Sequence, residues 1–499
     1  MRIAVIDDGI EPSLCPNLLP EYDFCVKEDG RVVRREGQIL TDHGTTSARI
    51  ILKYAPTASL CSIQVFDTEE LKTSVGQLVA ALEWCYREQI PLIHLSLGST
   101  LWLDYEPLRR ITARLLQNGQ VVVAAHSNSG AYTVPACLMG VLGVLADESL
   151  SGGSYYAREA GWDQVQLHAS SRHIWETGRG HAFETQVTNS YAAPLVTAKV
   201  HGILCEAAGE GWTVTDIYQR LTGQGSTMFR MRPDFIEDAV LFQAGEHRFY
   251  EKLFFFSIRE RVDSLDGLKE AVRKNPYAPA VLLPSGNQEV DREACQYCWE
   301  RCRLGFVYAG EAPAGIESGN GGGLFWDEGQ YRVFLEHAGH MVEEGFMEDT
   351  ARILVDGEGD LRLPVAVGLW QRFQEEGYPC IVVSNEHFGY LYGLEYLPES
   401  IPPERFAMDA AALRQAAVVI YCLRDKAGLE ETGYDFEVSV GEDSDIEMKM
   451  EGKRIRLPWN FGDVEWKRLY QYILAYEPDG GGEADILGSV NPGYGGVNP

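Results

Sequence analysis

The chain has 499 residues, with 43 Lys and Arg against 73 Asp and Glu, a net charge of −30. At roughly 150 residues per domain this length gives two or three domains, and 45% hydrophobic with 23% charged residues is a globular rather than a disordered composition. The acidic balance, with no clustered Lys/Arg run, excludes nucleic acid as a main partner and favours basic peptides or metal cations.

No stretch approaches the roughly 18 apolar residues of a membrane helix. Two carboxylates, Asp7 and Asp8, interrupt the N-terminus before any apolar signal region could form. The 11 cysteines are odd in number and mostly scattered, which fits reduced thiols, so the expected compartment is the cytoplasm.

In chain order, Ile3–Ile6 is a short apolar run that stops at Asp7-Asp8-Gly9. Leu60–Val65 reads as a second strand and Val75–Arg87 has helical spacing. Leu92–Leu97 and Val121–Ala125 are again apolar and end in Gly, Ser and Asn; Asn189–Ala207 reads as a buried helix that tolerates Pro194 near its start. Strands alternating with helices predict an α/β domain with a mostly parallel sheet flanked by helices over residues 1–225, with its site where the strands end. The polar segment Thr222–Pro233 reads as the exit from this domain, and residues 226–244 as a linker.

A second α/β domain is expected over 245–478, with strands at Ala278–Leu283, Arg352–Val355, Cys380–Ser384 and Ala417–Cys422 and a helix at Pro364–Glu376. The loop Ala312–Gly323 is too rich in glycine for a regular element, and the Gly/Pro-rich tail 479–499 is expected to be disordered.

Four segments carry chemistry: Asp7-Asp8-Gly9, Asp42-His43-Gly44-Thr45, Ala125–Gly130 with Asn128, and Thr188–Pro194 with Ser190. Each alone has a plain reading: Asp7 as a turn residue, Ser190 as a helix cap, Asn128 as a loop amide. Together they supply what acyl transfer needs. A serine hydroxyl needs an imidazole to take its proton, the imidazole needs a carboxylate to fix its tautomer, and the oxyanion needs preorganised donors. The order Asp, His, Asn, Ser is that of subtilisin, not of chymotrypsin or the α/β-hydrolases.

On these residues the sequence resembles the subtilisin-like serine proteases across 1 to about 225. The resemblance implies Asp7, His43 and Ser190 as the catalytic residues and Asn128 as the oxyanion donor. It implies Ser96-Leu97-Gly98 as the strand whose backbone binds the peptide substrate as an added β-strand. The Asp7-Asp8-Gly9 form resembles the kexin/furin branch, which implies that Asp8 lines a subsite for basic side chains. Two departures stand out: Asp42 where the family has Gly before its His, and Thr188-Asn189 where it has Gly-Thr before its nucleophile. With the strand starting at residue 3 there is no room for a signal or propeptide, so the expected enzyme acts where it is made, on a narrow set of substrates.

The second domain offers less. Cys295, Cys298 and Cys302 share one helix face at i, i+3, i+7 and could hold a metal with Cys380, Cys422 or His340, but the preferred reading is small apolar packing. Asp356–Arg362 has a P-loop-like place between strand and helix yet lacks Gly-Lys-Ser/Thr, so a degenerate fold without nucleotide is expected. No cofactor and no metal are expected. The leading expectation is a serine endopeptidase processing a ribosomally made peptide, for example by leader removal. The rival is an inactive module that grips a peptide without cutting it; a tail lying in the cleft is a third reading.

Overall fold

The computed structural model describes residues 1–37, 39, 41–66, 73–157, 165–177, 181–206, 212–223, 232–247, 249–316, 350–357, 361–398, 401–424, 429, 433–441, 446–450, 453–457 and 463–474. His340, the end of the Gly-rich loop, part of the segment 222–233 and the tail 479–499 lie outside them.

The first region is built on strands β1 (Arg2–Asp7), β2 (Leu18–Val26), β3 (Val32–Arg34), β4 (Ser59–Gln64), β5 (Leu92–Leu95), β6 (Val121–Ala125), β7 (Leu142–Ala146), β8 (Tyr155–Ala157) and β9 (Val165–Ala169). They form one sheet in the order β3-β2-β4-β1-β5-β6-β7-β9-β8. Its pairings are parallel except at the two edges, β2–β3 and β8–β9. The central strands are apolar on both faces because helices cover both. Ile3 and Val5 of β1, Leu92 of β5 and Val121, Val123 and Ala125 of β6 enter one core with helices α1 (His43–Tyr54) and α4 (Asn189–Glu206). Ala4, Ile6, Ile93, Leu95, Val122 and Ala124 enter the opposite core with α2 (Val75–Arg87) and α3 (Tyr105–Gln117). The period of two then puts Asp7, which follows Ile3 and Val5, and His94, which follows Leu92, on the face covered by α1 and α4. The expected α/β class of this region holds.

A four-stranded parallel sheet follows, from Ala239–Phe242, Ile258–Val262, Ala280–Leu282 and Phe306–Tyr308, with helices Leu265–Lys274 and Gln288–Arg301. Its first strand falls inside the stretch read as linker; all four of its residues are buried. A seven-stranded sheet with a parallel centre comes next, so the described residues after 238 form two sheets.

These later sheets pack on the α2/α3 side of the first, in one continuous apolar core. Polar groups fix the contact. The Trp102 indole donates to Cys380 O at 3.2 Å. Glu395, buried, pairs with Arg232 and Arg414, and the Arg414 guanidinium lies 3.8 Å from the centre of the Tyr132 ring. Arg109 on α3 is fully buried and donates to Ile236 O and Phe255 O while pairing with Glu106 and Glu237. Charges so deeply placed are tolerable only when paired, and removing one partner is costly.

Candidate active site

Asp7 ends β1 and is buried, and His43 opens α1. The imidazole Nδ1 lies 2.8 and 3.0 Å from the two Asp7 carboxylate oxygens. Asp42, at the cap position of α1, makes no side-chain capping bond. That work falls to Asp8, which accepts the His43 N–H at 3.2 Å on one oxygen and the Gly44 N–H at 2.7 Å on the other. A carboxylate at a helix N-terminus meets unpaired amides and the positive end of the helix dipole. Consecutive carboxylates thus hold one histidine from both sides, Asp7 by its ring and Asp8 by its backbone.

Gly44 is required by this approach. A Cβ there would lie 2.5 Å from Gly9 O and 2.7 Å from the Asp8 carboxylate. Asp8, expected to line a subsite, is 4% exposed and has both oxygens on amides at the start of α1.

Burial pulls the His43 pKa down, but the charge and hydrogen bond of Asp7, with Asp8 and Asp42 behind it, outweigh burial and lift it to about 9. Burial raises Asp8, as does the Asp7 charge; the His43 and Gly44 amides oppose both, and the result is about 7.

Ser190 is the second residue of α4 and is nearly buried; its hydroxyl donates to Ser96 O at 3.1 Å. The structure brings Ser190 to the strand ends that carry Asp7 and Ser96, and among the described residues its hydroxyl is bonded to Ser96 rather than to His43. Catalytic hydrogen bonds are often long or differently paired before substrate binds. Tyr191 lies against the base, its ring centre 5.4 Å from that of His43.

Asn128 is exposed and accepts the Asn189 backbone N–H at 2.9 Å. Because that amide can only donate, the side-chain atom facing it is Oδ1, and the Nδ2 hydrogens are left for another acceptor. Asn189 was read as a departure from the family pattern, and its side chain turns out to tie the strand ends together. Its Nδ2 donates to His126 O at 3.1 Å and Ser127 O at 3.0 Å, and its Oδ1 accepts the Ala146 N–H at 2.8 Å. The only sequence signal for this was an amide beside the serine.

Ser96, Leu97 and Gly98 are buried, and the next residue, Ser99, pairs with Val134 through two backbone bonds of 2.8 Å. A Cβ on Gly98 would sit 2.7 Å from the Thr133 methyl and 2.8 Å from Val134 O, so the two segments run in contact. Cys295, Cys298 and Cys302 lie in the apolar core of the four-stranded sheet, and among the described residues no cluster of His, Cys, Asp and Glu has the arrangement of a metal site. Among the same residues no helix is long and apolar enough to cross a membrane.

An α/β unit with a carboxylate, an imidazole, a serine hydroxyl and a carboxamide at its strand ends has the parts of an acyl-transfer centre. No protein-family model matches the chain, and no curated protein matches it. Among the solved structures it is similar to are proteases that match less than half of its length. A lanthipeptide protease shares 17% identity, over 44% of this chain and 78% of that one, with a TM-score of 0.34. A cold-adapted subtilisin-like serine proteinase shares 19%, over 45% and 82%, also at 0.34. The nisin leader peptidase NisP from Lactococcus lactis shares 14%, over 42% and 79%, at 0.32.

Proposed function

We propose that the chain is a serine endopeptidase. Ser190 Oγ attacks the scissile carbonyl while His43 takes its proton; His43 then gives that proton to the leaving amine, and water, activated by the same imidazole, releases the acyl group. Asp7 fixes the His43 tautomer and stabilises the imidazolium, and Asn128 Nδ2 donates to the oxyanion. His43 takes the proton in its neutral form, so with its pKa raised to about 9 the rate should climb as pH rises towards that value. The peptide would pair with the backbone of Ser96-Leu97-Gly98, where a main-chain acceptor already lies against the nucleophile. We assign Asp8 to positioning His43. A preference for residues that are basic near the cut would come from the overall charge of −30.

The observation that carries the reading is the Asp7–His43 pair, 2.8 Å apart, at the strand end beside Ser190. All 11 cysteines are free thiols, which supports a reducing compartment such as the cytoplasm. The substrate we propose is a ribosomally made peptide trimmed at one site; the later sheets, braced against Trp102 and Tyr132, would restrict what enters. Incubation with a mixed peptide library tests this. Cleavage at a restricted set of bonds, lost in Ser190→Ala, supports the enzyme; intact peptides recovered bound to folded protein would favour the gripping module instead.

A further inference from the structure

We propose that His94 is a positioning residue for the Ser190 nucleophile, acting through the Ser96 hydroxyl. The proposal rests on the protease reading above.

Pro194 is the starting point. It lies four residues after Ser190 in α4 and has no N–H, so the Ser190 carbonyl loses its ordinary helical donor. The Ser96 hydroxyl takes that place, donating to Ser190 O at 3.2 Å. Ser96 therefore holds Ser190 at two points, since its own carbonyl accepts the Ser190 hydroxyl at 3.1 Å.

The Ser96 hydroxyl has two further neighbours, His94 Nε2 at 2.7 Å and Ser47 Oγ at 3.1 Å. Ser47 is four residues after His43 on α1, so this one oxygen joins the helix of the base, the helix of the nucleophile and the strand between them. A hydroxyl has one proton and two lone pairs. Its proton must go to Ser190 O, the one neighbour that can only accept. His94 Nε2 and Ser47 Oγ must then both donate to Ser96, which makes His94 the neutral tautomer with its hydrogen on Nε2.

On that assignment Nδ1 is an acceptor, and the Thr197 hydroxyl 2.8 Å away turns its one proton to the ring rather than to Ala193 O at 3.0 Å. Ser190, Ala193 and Thr197 follow one another along the face of α4, so a single buried imidazole braces its first two turns. His94 is fully buried, and burial lowers its pKa to about 4, which keeps the ring neutral at working pH. A sub-ångström tilt of this helix moves Ser190 Oγ relative to His43, and misplacement of about 1 Å can cost on the order of 100-fold in rate.

The test compares His94→Leu, which removes the donor, with His94→Asn, which keeps an amide that can give one, and Ser96→Ala, which removes the joining hydroxyl. Rates are taken on a cleaved peptide and divided by active sites titrated with a fluorophosphonate. The expected result is a kcat per titrated site lower by about 10- to 100-fold in His94→Leu and Ser96→Ala, with KM within about twofold and substantial recovery in His94→Asn. A merely structural role would lower the titratable fraction and the melting temperature but leave kcat per site unchanged. That outcome in either disabling variant overturns the proposal, and Ser96→Ala decides it if His94→Leu does not fold. If folded wild-type protein takes up no fluorophosphonate, the protease reading itself fails; normal wild-type labelling with unaltered variant rates removes His94 alone.

Discussion

Asp8 accepts the Gly44 backbone N–H at 2.7 Å, directly beneath the histidine whose ring Asp7 holds. A carboxylate spent on the first turn of α1 fixes where the imidazole starts, and its charge reaches that imidazole as well.

Asp8→Asn removes one of the negative charges that raise His43. Loss of a negative neighbour lowers the pKa of the imidazolium, so the acid limb of kcat/KM against pH should move to lower pH from its wild-type position near 9. A pH–rate profile of both proteins checks this. An acid limb that stays in place would assign the His43 shift to Asp7 and Asp42 only.

The same group sets a stability trend. The folded pKa of His43 lies near 9, above its ordinary value of 6.5. Its stabilising contribution is therefore complete below pH 6.5 and is lost as pH rises through 9. Denaturant unfolding between pH 6 and 10 should show that decline in the wild type and a flatter curve in His43→Ala.

Gly44→Ala puts a methyl 2.5 Å from Gly9 O, a backbone atom that cannot swing aside. We expect a loss of about 3 kcal/mol of stability, together with loss of activity as the start of α1 shifts. Urea unfolding measures the first; a change below 1 kcal/mol would mean that the strand end at Gly9 yields easily.

Asn128→Ala should lower kcat by about 100- to 1,000-fold with little change in KM, as expected for a donor that acts on the oxyanion. Because Asn128 also accepts the Asn189 N–H, Asn128→Asp serves as the control: it keeps the acceptor and loses the donor. Equal losses in both variants support the oxyanion role, whereas activity retained in Asn128→Asp assigns the residue to holding Asn189.

Glu395→Gln leaves Arg232 and Arg414 buried without their shared carboxylate. The cost should be about 3–5 kcal/mol, seen as a lowered thermal midpoint. Because Arg414 stacks on Tyr132, the accessory sheets should loosen from the first region, giving separate transitions in place of one.

The strand ends before Asp7 and Asn128 are legible because short apolar runs stop abruptly there, and the helix that Ser190 opens is legible because it is rich in Ala, Val and Leu. Asp8 was not: a backbone-capping carboxylate and a substrate-facing one look the same in a one-dimensional Asp-Asp-Gly. His94 was also missed, since a histidine inside the run Leu92–Leu97 reads as an interruption until the sheet shows that it faces α4. The strand Ala239–Phe242 escaped because four residues buried on both faces have no alternation to detect. Thr188 stands where the family has Gly and Asn189 where it has Thr, which in sequence reads as a loss; the three bonds of Asn189 to the ends of β6 and β7 are a gain that no sequence pattern signals.

The most direct measurement is fluorophosphonate labelling read by intact mass and peptide mapping. The account predicts one adduct per chain, on Ser190, absent in Ser190→Ala and formed far more slowly in His43→Ala. Folded wild-type protein that takes up no label, or a label that persists in Ser190→Ala, would contradict it.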